Sequence, residues 1–342
     1  MGACEAIFKS FIFSSVFPIK ATAPFWKAGL FSSEMSCIIC LESDPAPVQM
    51  GCACRSDAGL AHVTCMVEKA KWQHAQRGTA AWCSCQTCGN LFTGAMRMGL
   101  ADAWASQAEG AERISARANR GAALAACGNH AAAEPVLRQV LVETRGACGA
   151  AHPEALTAAN NLGWALVGVH KYAAAERILR ETLAVQRRVL GDEHPSNLKS
   201  ASNLAGVLIR RGKSADAERI LREVLSCMQR VFGEEHPNTL IAAGCLTTAL
   251  LNQGTREKLE EAERIGDSMR AVQTRVLGPD HPDTLKTTHN LANALLLRRK
   301  LERAEALFRT LLDAQRRVYG DADERASETI DSLRVLARLK GP

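Results

Sequence analysis

At 342 residues the chain is long enough for two or more folded units, and 47% hydrophobic residues with only 5% aromatic ones is the composition of alanine- and leucine-rich helical repeats. The net charge of +6 reflects 42 basic against 36 acidic residues, spread over helical segments with no basic block or aromatic interleaving, which argues against a nucleic-acid surface. No apolar stretch approaches the ~20 residues of a membrane-spanning helix. Thirteen cysteines would suggest disulfides in a secreted chain, but most fall in metal-ligand pairs and the rest are scattered, so an intracellular, cytoplasmic setting is expected.

Residues 1–34 read as a leader or disordered segment. They hold Phe8, Phe11, Phe13, Phe17, Phe25 and Phe31 with few acids, and Lys9, Ser14, Ser15 and Pro18 break the apolar run. Met1-Gly2-Ala3-Cys4 hints at lipidation, yet Ala6 stands where a myristoylation site needs Ser or Thr. A start at Met35 would leave a compact protein.

From Cys37 to Cys88 the ligand-type residues run Cys-x2-Cys, Cys-x-Cys, His-x2-Cys, Cys-x2-Cys. Thiolates a few residues apart close two corners of a tetrahedron with one short loop, and two such pairs complete a structural zinc site with no open position. Cys37, Cys40, Cys52, Cys54, His62, Cys65, Cys85 and Cys88 therefore predict two structural Zn(2+) ions and no metal-borne catalysis. The alternative is that these are merely buried core cysteines. Cys83 is read as a spectator thiol.

This order resembles the RING-CH zinc fingers, in which seven residues, here 55–61, separate the Cys-x-Cys pair from the histidine. The resemblance implies a cross-brace over 35–98: Cys37, Cys40, His62 and Cys65 on one zinc, and Cys52, Cys54, Cys85 and Cys88 on the other. A PHD finger shares the ligand order, with Trp82 before its last pair, but usually has a longer second pair and a shorter gap before the histidine. The RING-CH resemblance implies ubiquitin transfer by positioning a charged conjugating enzyme, on an apolar shelf to which Ile38, Ile39 and Trp72 would contribute. Two departures stand against it: the last pair, Cys85-Gln86-Thr87-Cys88, lacks the shelf proline, and Gly89 replaces a basic residue. A finger that only binds a partner or stabilises the chain is the alternative.

The segment 94–106 reads as a helical joint. Beyond it, over 99–342, a repeat emerges whose marker glutamates, Glu134, Glu176, Glu218, Glu263 and Glu305, are spaced 42, 42, 45 and 42. The three added residues fall in 255–261, a charged extension that leaves the register intact. His-Pro recurs at His152-Pro153, His194-Pro195, His236-Pro237 and His281-Pro282, with proline placed for a first helical turn and a glycine closing the helix before it. Those histidines sit on successive loops, too far apart to share a metal. Apolar residues recur every three to four positions in two runs, giving two amphipathic helices per repeat with a turn near Gly212. One pair cannot bury its apolar face alone, so an α-solenoid with a C-terminal capping helix at 321–339 is expected.

These units resemble the 42-residue tetratricopeptide repeats of kinesin light chains. In that family asparagines on the first helix bind the backbone of an extended ligand, which implies a groove role for Asn119, Asn161, Asn203 and Asn290, with Cys245 at the remaining place; helix bridging is the alternative. Lys199 and Lys286, one turn earlier, suggest an acidic ligand. No heptad run of the kind that binds a motor heavy chain is present. There are no paired carboxylates, Gly-rich phosphate loop or nucleophile signature. The expected protein is mostly α, a small two-zinc RING-like module followed by helix pairs, and takes protein partners: a ubiquitin-conjugating enzyme on the finger and a peptide or protein in the groove.

Overall fold

The computed structural model describes residues 37–50, 60–110 and 112–340. The expectations for 1–34 and for Cys52 and Cys54 lie outside them. The chain forms two compact units that meet in sequence at Ile178 and Leu179.

In the first unit, β1 (Val48–Gln49) and β2 (Leu60–Ala61) pair antiparallel, and β2 leads directly into α1 (Val63–Arg77). A 3-10 turn, Gly78–Trp82, follows, and then α2 (Gly94–Gln107). The segment read as a helical joint is a helix and is also part of the core: Met96 and Leu100 on α2 are fully buried, and Trp104 lies parallel to Trp82 with ring centroids 6.1 Å apart. Trp82 Nε1 donates to His74 Nδ1 at 3.0 Å, which leaves His74 Nε2 to meet Glu112 Oε1 at 2.9 Å. Two tryptophans thus do packing work that a segment with few large apolar residues would otherwise leave to metal alone. This N-terminal region packs through α2 onto α3 (Glu112–Ala126), whose Ala116 belongs to the same core. The chain continues through α4 (His130–Cys148) and α5 (Pro153–Gly168) into α6 (Tyr172–Leu190), where the units divide.

The second unit contains α7 (Pro195–Arg210), α8 (Ser214–Phe232), α9 (Pro237–Gln253), α10 (Arg256–Val276), α11 (Pro282–Leu297), α12 (Leu301–Tyr319) and α13 (Glu324–Lys340). The second helix of each pair is amphipathic: α8 buries Ala217, Leu221, Val224 and Met228, every three to four residues. The first helix is enclosed on more sides. α7 buries Leu198, Ala201, Leu204, Ala205 and Leu208, because α8 and the next pair's first helix, α9, both cover it. Truncating the fully buried Leu208 to alanine is expected to cost about 2–5 kcal/mol.

Three repeated devices set the register. Gly149, Gly191, Gly233, Gly278 and Gly320 all have φ between 84° and 92°, which reverses the chain after each second helix. The histidine three residues on caps the next helix: Nδ1 of His152, His194, His236 and His281 accepts the backbone N–H two residues later at 3.1–3.3 Å. Asp323 takes that place before α13, accepting from Arg325 N at 2.9 Å.

The marker glutamates clamp one repeat to the next. Glu134 meets Lys171 at 2.8 Å, Glu263 meets Lys300 at 2.8 Å, and Glu305 meets Lys340 at 2.6 Å. At the joint where Thr255 replaces the loop lysine, the added segment supplies Lys258 to Glu218 instead. The extra residues are taken up chiefly by α10, which has 21 residues where α6, α8 and α12 have 19. A second row of pairs, Arg230 with Glu193, Arg275 with Glu235 and Arg317 with Asp280, ties helix ends to the preceding loop. These last are exposed and worth under about 1 kcal/mol each.

Candidate metal centre and peptide-binding residues

Three pieces of chain converge at the first ligand cluster: the turn at 37–42, the end of β2 and the first turn of α1. Ile38 N donates to Leu60 O at 3.0 Å, docking the turn against β2. The Sγ atoms of Cys37, Cys40 and Cys65 and a ring nitrogen of His62 lie within 4.8 Å of one another. His62 Nδ1 is 3.3 Å from Cys40 Sγ and 3.7 Å from Cys65 Sγ. Four soft donors at this spacing suit one tetrahedral cation, and all three cysteines are free of disulfides.

The electrostatics also call for positive charge. Burial alone would raise the Cys37 thiol, but backbone amides of Cys40, His62 and Ile39 bring it down to about 6. Cys65 is pushed up to about 11, by burial and then by the neighbouring sulfurs of Cys40 and Cys37. Clustered sulfurs resist shared ionisation, and a metal ion relieves that resistance.

The second Cys-x2-Cys turn has the same backbone as the first. Leu41 N donates to Cys37 O and Cys37 N to Glu42 O, both at 2.8 Å; Gly89 N donates to Cys85 O at 3.0 Å and Cys85 N to Asn90 O at 2.9 Å. The fifth residue has positive φ in both turns, 66° at Leu41 and 71° at Gly89. Cys85 and Cys88 are thus held in the form that the first ligand pair adopts. Cys83 lies outside the first cluster, its thiol donating to Thr79 O at 3.4 Å.

Of the residues expected to form an apolar shelf, Ile39 is 41% and Trp72 74% exposed, whereas Ile38 is half-buried against the N-terminal core. A shallow depression of about 20 Å3 between the two turns and α1 is lined by Ile38, Lys69, Gln73, Gln86 and Thr87, among others. Gln73 Nε2 donates to Gln86 Oε1 there, at 2.6 Å.

Asn119, Asn161 and Asn203 are half-buried, and their side chains form no hydrogen bond among the described residues. Asn119 and Asn161 line one cavity of the first unit. In the second unit Lys199 is exposed, but Asn290 is buried, at 8% exposure, and burial lowers the Lys286 ammonium. The reason is packing: α11 touches α9, α10, α12 and α13. Cys245, also buried, has its thiol raised by the same effect. Asn290 is thus buried and Lys286 half-buried at the places where a groove role is expected.

A second group, Cys148, His152 and Glu154, also has ligand atoms within 4.8 Å. Because His152 Nδ1 accepts the Glu154 N–H, its ring proton sits on Nε2 and no lone pair remains for a metal.

Tetratricopeptide repeat models match residues 113–154, 155–196 and 198–238, and a further one matches 249–317. Together they cover more than half of the chain, which belongs to the tetratricopeptide repeat family. No curated protein matches it in sequence. Two crystal structures of nearly identical tetratricopeptide-like repeats, assigned to a kinesin light chain of Podosopora anserina, are similar. One, a single-residue variant, has a TM-score of 0.53 at 24% identity over 62% of this chain and 98% of that one; the other has 0.52 at 24% over 61% and 98%. At that identity the likeness speaks for the fold alone. Among the described residues no helix is long and apolar enough to cross a membrane.

Proposed function

We propose that this tetratricopeptide repeat protein is a RING-CH-type ubiquitin ligase: a two-zinc finger recruits a charged conjugating enzyme and the repeats hold the substrate. The observation that carries this reading is the exposure of Trp72 and Ile39 on a finger organised around the Cys37, Cys40, His62 and Cys65 cluster. A large indole exposed on a helix whose other face is core is costly to leave in water and is typical of a docking residue. In this reading Cys52, Cys54, Cys85 and Cys88 hold the second zinc, and both ions are structural. The repeats of the first unit offer Asn119 and Asn161 to an extended peptide, and those of the second unit offer Asn203 and Lys199 in the same way.

The test is discharge of ubiquitin from a panel of charged conjugating enzymes by the chain from Met35 onward. Discharge is expected, with loss in Cys37→Ser/Cys40→Ser and a fall of at least tenfold in Trp72→Ala and Ile39→Ala. No discharge by metal-loaded, folded protein across the panel would overturn the ligase reading.

A second reading, a non-catalytic zinc-finger scaffold, draws on Gln86 and Thr87. Where the shelf calls for an apolar proline, these polar residues line the depression, and Gln86 is tied to Gln73.

A further inference from the structure

The first unit contains a cavity of about 310 Å3 built jointly by the finger and the first repeats. Thr79, Cys83 and Trp104 of the finger form one wall; Ile114, Ser115, Ala118 and Asn119 of α3 and Val140 and Thr144 of α4 form another. Pro153, Glu154, Thr157, Ala158 and Asn161 of α5 complete it. Its size is at the lower end for sites that enclose a small molecule or a large side chain.

We infer that this cavity holds a large apolar side chain, flanked by a lysine or arginine, of an extended peptide that runs across α3 and α5. The inference rests on the groove reading above and adds what the repeats alone do not provide: a specificity pocket that exists only because the finger abuts the first repeat. Three observations support it. The lining mixes Trp104, Ile114, Val140, Ala118, Ala158 and Pro153, an apolar surface suited to an aromatic or large aliphatic group. The amides of Asn119 and Asn161 are half-buried and unbonded at its edge, so each is free to donate to and accept from a peptide backbone. Glu154 is the one charged residue in the lining, exposed and without an ion-pair partner among the described residues, which selects a basic neighbour.

The test is selection of phage-displayed random twelve-residue peptides on the full-length, zinc-loaded protein. Expected are peptides with Trp, Phe, Leu or Met beside Lys or Arg. Their binding should fall at least tenfold in Ala118→Trp and in Ser115→Trp, which fill the cavity from different positions. Glu154→Gln should weaken only the basic preference. Bound peptide should also slow alkylation of Cys83, read by mass spectrometry, a measurement that needs no variant. Peptides that depend on Asn203 but bind both filled variants undiminished and leave Cys83 unprotected would overturn the cavity assignment while leaving the groove standing. Failure to select any peptide would overturn both.

Discussion

His62 in the finger and the repeat histidines, His152, His194, His236 and His281, occupy the same local position: each precedes a helix, with φ from −64° to −69° and ψ from 134° to 141°. In the repeats proline follows, and Nδ1 is used up on the helix's own N–H group. In the finger Val63 follows, and α1 receives no side-chain cap, because Nδ1 faces the sulfurs of Cys40 and Cys65. One backbone conformation therefore serves two chemistries, decided by where the ring's lone pair goes. A histidine already capping a helix is unavailable to a metal, and one that fails to cap is worth examining as a ligand.

Removing metal should separate the two regions most sharply. Chelation is expected to remove the finger's fixed packing, since structural zinc contributes on the order of 10 kcal/mol in small fingers. The loss should extend into α3 through Trp104 and Ala116, while the second unit keeps its helical signal, as followed by circular dichroism and residue-resolved hydrogen exchange. Exchange in α7–α13 accelerating alongside the finger would show that the regions are not separable.

The histidines themselves provide the next test. His62→Ala should reduce zinc bound per chain, whereas His194→Ala should leave zinc unchanged and cost about 1 kcal/mol, the usual value of a cap. His194→Asp should cost little, because Asp323 already caps α13 in that role. Equal zinc loss in His62→Ala and His194→Ala would erase the distinction.

The repeats should also respond to acid in their own way. Burial would raise the Glu218 carboxyl, but hydrogen bonds from Lys258, Gln253 and Arg222 hold it at about 2, below its ordinary 4.5. A carboxyl depressed on folding contributes stability that is fully present above 4.5 and lost as pH falls toward 2. Glu218→Ala should flatten that part of the urea-midpoint profile and cost about 1–3 kcal/mol at neutral pH. A small effect of opposite sign is expected at Arg299, which is exposed and held at φ 60° where other repeats have Gly128, Gly212 and Gly254. Arg299→Gly should stabilise by about 1 kcal/mol, read as a higher melting temperature.

Much of this was legible in the sequence. Period, His-Pro and glycine positions gave the repeats, since each reflects a local rule of chain reversal or helix initiation. The two pairs of the first cluster were legible because spacing within a pair is itself local geometry, whereas their coming together was implied only by the RING-CH resemblance. What pattern reading could not reach were contacts between distant segments: the stacking of Trp82 on Trp104, Lys258 standing in for a loop lysine, and the burial of Asn290. The marker glutamates were visible as a rhythm, but their clamping role depends on a partner 35 to 40 residues away. A signal for the cap was available too, in that histidine two residues before a free N–H can do what Asp or Ser does.

The shared core of Trp82, Met96, Leu100, Trp104 and Ala116 has a consequence for the life of the chain in a cell. If the proposed zinc sites hold this core together, a newly made copy without the ion would present two indoles and a methionine to its surroundings, the kind of sticky surface that chaperones and proteases sample. On the proposed two-zinc reading, abundance should then follow zinc supply, so that starvation for the ion thins the population before any binding partner is involved.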